Sequence, residues 1–231
     1  DILLTYALAG GIVALARRWP APALLAVGIA VHATLGLIAL AALPEADAVF
    51  DIAGQRREAA EALAVQGGYR GGFADSLVAN ARDWLRLLPV GHLPAVFDIA
   101  PLMLIGLGLF KSGVLVGRAP ARLYVALIAA GLLYLAVLTW LTARQIALGF
   151  APGPTLLNDL VNLLCAPLAT LAYVSALLLA LRAGARPIAR ALAPVGRMAF
   201  TNYLTQSLIM TGLFYGGRGP GWYAQLDHAQ L

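Results

Sequence analysis

The sequence predicts an all-α, polytopic transmembrane helical bundle of about six spans, with an outer amphipathic loop region. Three observations predict it. Hydrophobic residues make up 61 % of the 231 residues. Asp, Glu, Lys and Arg together reach 12 %, about half the roughly 25 % of a soluble domain. Mean hydropathy is +0.82. So few charges cannot cover a water-facing surface for 24.1 kDa, which excludes an ordinary soluble enzyme and a disordered chain. Cys165 is the single cysteine, which excludes a disulfide scaffold; in its apolar run it reads as a small buried hydrophobe.

Crossing roughly 30 Å of hydrocarbon at about 1.5 Å per residue takes about 20 apolar residues. Six stretches meet or approach that length. Ile2 to Ala16 is short and ends at Arg17-Arg18-Trp19-Pro20. Pro22 to Leu43 is interrupted only by His32 and Thr34. Ala95 to Val116 holds Asp98 near its start and Lys111 near its end, with Pro101 marking a start or kink. Leu123 to Ala143 has no charge. Leu156 to Leu181 contains Asp159, Asn162 and Pro167, and Val195 to Tyr215 is the most polar. Ala7, Gly11, Gly106 and Gly113 are small enough to permit close helix contact.

The net charge of +5 is a topology signal, with no basic tract that suits nucleic acid. One set of short connections holds nine basic residues, from Arg17 and Arg18 through Lys111, Arg118 and Arg122 to Arg182, Arg186, Arg190 and Arg197. The opposite set holds two, Arg144 and Arg218. The nine mark the cytoplasmic side, so the 44–91 loop, Asp98 and Asp159 face outward. Within that loop Gln55 to Val65 suits a short helix, and Gly67 to Gly72 a flexible turn. Leu77, Ala81, Trp84 and Leu88 fall on one face of a helix from Asp75 to Leu88. That helix either lies in the outer headgroup layer or caps the bundle.

Polar groups in hydrocarbon cost several kcal/mol unless partnered, so they mark candidate sites. Thr201, Asn202, Thr205 and Gln206 fall within about 140° of arc on the sixth span, with Arg197 at the edge. Asp159, Asn162, Thr170 and Tyr173 share a narrow face with Ala166 on the fifth. Each group reads either as interhelical glue or as a substrate contact, and Asp98 and Asp159 alternatively as hydrated caps. His32, near mid-span, suits a proton relay, a general base or a satisfied interior histidine; His92 and His228 are weaker candidates. No phosphate loop, dinucleotide fingerprint, zinc-spaced histidine pair or Gly-x-Ser-x-Gly elbow occurs in the sequence, so no metal is expected.

The run Ala193-Pro194-Val195-Gly196-Arg197-Met198-Ala199-Phe200-Thr201-Asn202-Tyr203-Leu204-Thr205-Gln206-Ser207 resembles the hallmark of YeiB-like bacterial membrane proteins, the domain-of-unknown-function 418 family. Phe214-Tyr215-Gly216, the Gly219-Pro220-Gly221 turn, Ala229-Gln230-Leu231, Tyr69-Arg70-Gly71-Gly72, Asp1-Ile2-Leu3 with Tyr6-Ala7, and Gly106 to Lys111 look similar as well. The resemblance covers essentially the whole chain. Such proteins carry an N-terminal Asp-x-x-Arg-Gly-like motif and a further C-terminal helix, so residues 1–231 are expected to be one membrane domain within a longer protein. The start at Asp1 rather than Met fits that expectation.

The resemblance also implies a relation to membrane acyltransferases acting on extracytoplasmic sugars, or a part in transport. It places Arg197, Asn202, Tyr203 and Gln206 in a motif of unknown role. The expected function is acyl transfer to an extracytoplasmic or lipid-linked acceptor in the bacterial inner membrane. An acyl thioester is the donor and His32 the candidate base. Asp98, Asp159, Asn162, Arg197, Asn202, Tyr203 and Gln206 are the substrate-binding candidates. The expected partners are the lipid bilayer and a lipid-linked or small-molecule substrate. A transporter or flippase using the same groups is the alternative.

Overall fold

The computed structural model describes residues 2–41, 66–149 and 152–225. The expected helix from Gln55 to Val65, His228 and Ala229-Gln230-Leu231 lie outside them. The helices are α1 (Ile2–Leu15), α2 (Ala21–Ala41), α3 (Phe73–Leu87), α4 (Leu93–Lys111), α5 (Ala121–Ala147), α6 (Pro152–Arg182), α7 (Arg186–Arg197) and α8 (Ala199–Phe214). A π turn, Leu88–His92, joins α3 to α4. No strand occurs among the described residues; only isolated bridges tie Gly216 to Gly219 and Pro220. The helices form two compact units.

The first unit gathers α1, α2, α4, α5 and α6. Among the described residues four segments are long and apolar enough to cross a membrane: Ala21–Ile38, Leu93–Lys111, Ala121–Ala147 and Thr155–Arg182, with hydropathies from 2.0 to 2.2. Six were expected. The first stretch yields only 14 helical residues before a tight turn, in which Trp19 N–H donates to Ala16 O at 2.9 Å. The sixth is broken at Met198, leaving α7 before the break and the 16-residue α8 after it. Pro194 and Gly196 weaken the helix just before that break.

α4 ends at Lys111, short of the expected Val116, because Gly113 and Gly117 adopt φ of 85° and 77° and close a turn. Those left-handed conformations suit glycine. α4 does not start at Pro101, which sits inside it.

α1 and α2 pack on α4, α5 on α6, and α2 on α6. Lipid supplies no hydrophobic drive between helices, so close backbone approach and polar pairs hold them together. The approach comes through Gly28, Gly108 and Gly131: an added Cβ would stand 2.9 Å from Pro101 O, 2.8 Å from Leu25 Cγ and 2.7 Å from Leu168 O respectively. Gly11 and Gly106, singled out in the sequence, face open space. At one corner Tyr124, fully buried, donates to Val114 O at 2.7 Å. The Arg182 guanidinium lies 4.7 Å above its ring and donates to Gly117 O and Ala119 O. Lys111 Nζ likewise donates to Arg17 O and Trp19 O.

The second unit gathers α3, α7 and α8. Residues 66–70 are helical where a flexible turn was expected. The chain turns only at Gly71 and Gly72, and the Asp75 carboxylate accepts the Gly72 N–H at 2.9 Å to start α3. α3 buries Ser76 and half-buries Asn80 and Asp83, while Phe73, Leu77, Val78 and Leu85 stay exposed. Of the predicted apolar stripe, Leu77 and Ala81 are thus exposed and Trp84 is half-buried.

Candidate functional site

In the first unit a cavity of ≈ 410 Å³ opens between α4 and α6. Leu102, Ile105 and Leu109 line it from α4, and Leu163, Pro167 and Thr170 from α6. Gly106, which carries no side chain, leaves part of the space empty. Pro167 has no N–H, so the Leu163 carbonyl lacks its donor four residues on. The volume falls within the roughly 300–1,000 Å³ of small-molecule sites. Apolar walls with one hydroxyl suit a hydrocarbon chain ending in a polar group.

His32 stands beside this proline turn. Its Nε2 lies 3.3 Å from Leu164 O. A carbonyl only accepts, so Nε2 is the donor in this bond, and in a neutral ring Nδ1 is then the acceptor. A proton acceptor would therefore be Nδ1. Gly36, one turn along α2, lets the Leu164 side chain approach closely.

Asn162 joins a polar ladder between α5 and α6. Tyr134 donates to Asn162 Oδ1 at 2.7 Å, Thr142 to Asn158 Oδ1 at 3.3 Å, and Gln145 Nε2 to Thr155 Oγ1 at 3.2 Å. Asn162 thus has the interhelical partner that hydrocarbon demands. Asp98 and Asp159, like Tyr173, are exposed, while Thr170 turns to the cavity. The ladder residues Tyr134, Thr142, Gln145, Thr155 and Asn158 were not singled out in the sequence. A polar residue recurring at helical spacing on both spans was the signal available.

In the second unit Arg197 ends α7, and Asn202, Tyr203 and Gln206 lie on α8. Tyr203 is half-buried and accepts through its carbonyl from Ser207 Oγ at 3.0 Å. Arg197, Asn202 and Gln206 are exposed.

An aromatic cluster that sequence reading missed lies in the same unit. Tyr69 stacks on Tyr223, with centroids 4.7 Å apart, and tilts against Tyr215 at 4.8 Å. The Tyr69 hydroxyl donates to Asp83 Oδ2 at 2.8 Å. Burial, and then that carboxylate, push its phenol well above the ordinary tyrosine range. Arg70 donates to Tyr223 O at 2.7 Å and Ala224 O at 2.6 Å. Gly216 N–H donates to Tyr69 O at 2.7 Å, and Arg218 lies 5.1 Å above the Phe73 ring. The Tyr69-Arg70-Gly71-Gly72 and Phe214-Tyr215-Gly216 segments thus meet at one point. Spacing could not show this, because about 145 residues separate them. Among the described residues no three His, Cys, Asp or Glu side chains gather as a metal site would require.

A family described as "Protein of unknown function (DUF418)" matches residues 109–231. No curated protein and no solved structure matches.

Proposed function

The chain belongs to the DUF418 family, and from that premise we propose that it transfers an acyl group to an extracytoplasmic or lipid-linked acceptor in the bacterial inner membrane. The apolar cavity of ≈ 410 Å³ between α4 and α6 carries this reading, because its walls suit an acyl chain. Thr170 gives the chain's polar end one hydroxyl to meet. The donor is an acyl thioester. An acceptor hydroxyl or amine attacks its carbonyl carbon while His32 Nδ1 takes the proton, and the leaving thiolate then takes that proton from the imidazolium. Asp98 and Asp159 would contact the acceptor, with Asn162 holding α6 in place.

In this reading α1 and α8 complete six spans, and the 44–91 loop faces the outside. The exposed Phe73, Leu77 and Leu85 of α3 suit the outer headgroup layer. The test is acyl transfer by the purified full-length protein from long-chain and short-chain thioesters, followed by mass spectrometry. His32→Gln should abolish transfer, and Ala166→Phe, which fills the cavity, should shift preference to short chains. Absence of transfer from either donor by the unaltered protein overturns the reading.

The exposed amides of Asn202 and Gln206 favour a second reading, a transporter or flippase with these groups, Arg197 and Tyr203 on the solute path. It predicts that Asn202→Leu and Gln206→Leu abolish solute flux in proteoliposomes without changing folding.

A further inference from the structure

α7 separates charge from apolar surface more sharply than any span. At about 100° per residue, Arg186, Arg190 and Arg197 fall within about 40° of arc. Ile188, Leu192 and Val195 occupy about 60° of arc on the opposite side. Pro187 at the first turn needs no N–H partner there, and the helix breaks at Met198. At 12 residues it is far too short to span hydrocarbon.

Its apolar side is open: Leu192 is 48 % and Val195 58 % exposed. Arg190 and Arg197 are exposed too. The sequence holds no acidic residue between Asp159 and Asp227, so α7 carries three arginines and no carboxylate of its own.

We propose that α7 lies in the plane of the membrane surface, its arginines on the headgroups of anionic phospholipids and Leu192 and Val195 in the acyl boundary. Charge complementarity selects this occupant. A neutral lipid surface would answer the apolar side alone, and an acidic soluble partner would answer the arginines and leave Leu192 and Val195 in water. A flat surface with anions above and hydrocarbon below matches both sides of one short helix. Each arginine near an anionic surface strengthens partition roughly five-fold, so three together give roughly a hundredfold. Salt screens this part and leaves the apolar part.

The test uses the whole chain with Cys165→Ala and Val195→Cys, labelled at position 195 with an environment-sensitive fluorophore. It is placed in nanodiscs of phosphatidylcholine with and without phosphatidylglycerol. With the anionic lipid the emission should shift to the blue and resist an aqueous quencher. Salt, or the combined Arg186→Gln, Arg190→Gln and Arg197→Gln changes, should reverse this, and lysine at the same three positions should restore it. Salt titration of the unsubstituted arginines keeps the proposal testable if the triple variant fails to fold. Blue emission in both lipids, unmoved by salt, would mean that protein covers this face. Quenchable emission in both would mean that water does. Either result overturns the proposal.

Discussion

Gly131→Val tests the α5–α6 contact on which the polar ladder depends. A Cβ at position 131 would stand 2.7 Å from Leu168 O and would overlap the Ala172 side chain. Non-bonded heavy atoms settle at roughly 3.5 Å, so the helices must part by most of an ångström. Leu168 O is backbone and cannot rotate away. Overpacking of this kind costs about 1–3 kcal/mol. The same separation would carry the Thr142–Asn158 and Gln145–Thr155 bonds, already 3.3 and 3.2 Å, beyond bonding range. Each such bond contributes about 0.6 kcal/mol in membrane helices, so the total loss is about 3 kcal/mol. Unfolding by dodecyl sulfate, followed by circular dichroism, measures it. Leu132→Val is the control, because Leu132 is 60 % exposed and the same β-branched residue enters the same helix. Equal stability of the two variants would refute the close α5–α6 packing.

A double-mutant cycle on Tyr134→Phe and Asn162→Leu should give a coupling of about 0.6 kcal/mol, and at most about 1.7; zero coupling in the same titration would remove Asn162 from the ladder. Tyr69 should make the second unit alkali-sensitive. Below about pH 10 the phenol is protonated in both folded and unfolded chains. Above it the unfolded chain releases the proton while the folded one keeps it, so stability falls as pH rises. Tyr69→Phe should flatten that fall in a pH series of thermal melts. Gly216→Ala should lower the near-ultraviolet dichroism of the tyrosine cluster, since the new methyl group would meet the backbone of Arg70 and Gly71. An unchanged spectrum would contradict the close approach.

The sequence was most informative where one solvent argument sufficed. Runs such as Leu123 to Ala143 read as helices long and apolar enough to cross a membrane, and α5 contains that run whole. It failed where a helix is interrupted by local chemistry. Val195 to Tyr215 reads as continuous by hydropathy, yet the chain breaks at Met198. The apolar stripe of α3 was visible, but the choice of inward side was not. Tyr215 and Tyr223, far away in sequence, draw Tyr69 and Asp83 inward and leave Leu77 outside. For the site, Asn162 and His32 stood out by their cost in hydrocarbon. Their partners Tyr134 and Leu164 O are set by helix packing, which a single sequence does not encode locally.

Lys111 and Arg182 have a practical consequence for anyone mapping membrane orientation by moving positive charges. Each donates to carbonyls of a neighbouring turn, Lys111 at Arg17 and Trp19, and Arg182 at Gly117 and Ala119. Neutralising either one removes a positive charge and also unfastens a loop. A reporter fusion that flips after such a change would mix insertion bias with misfolding. Arg17, Arg18 and Arg122 are the cleaner positions to alter.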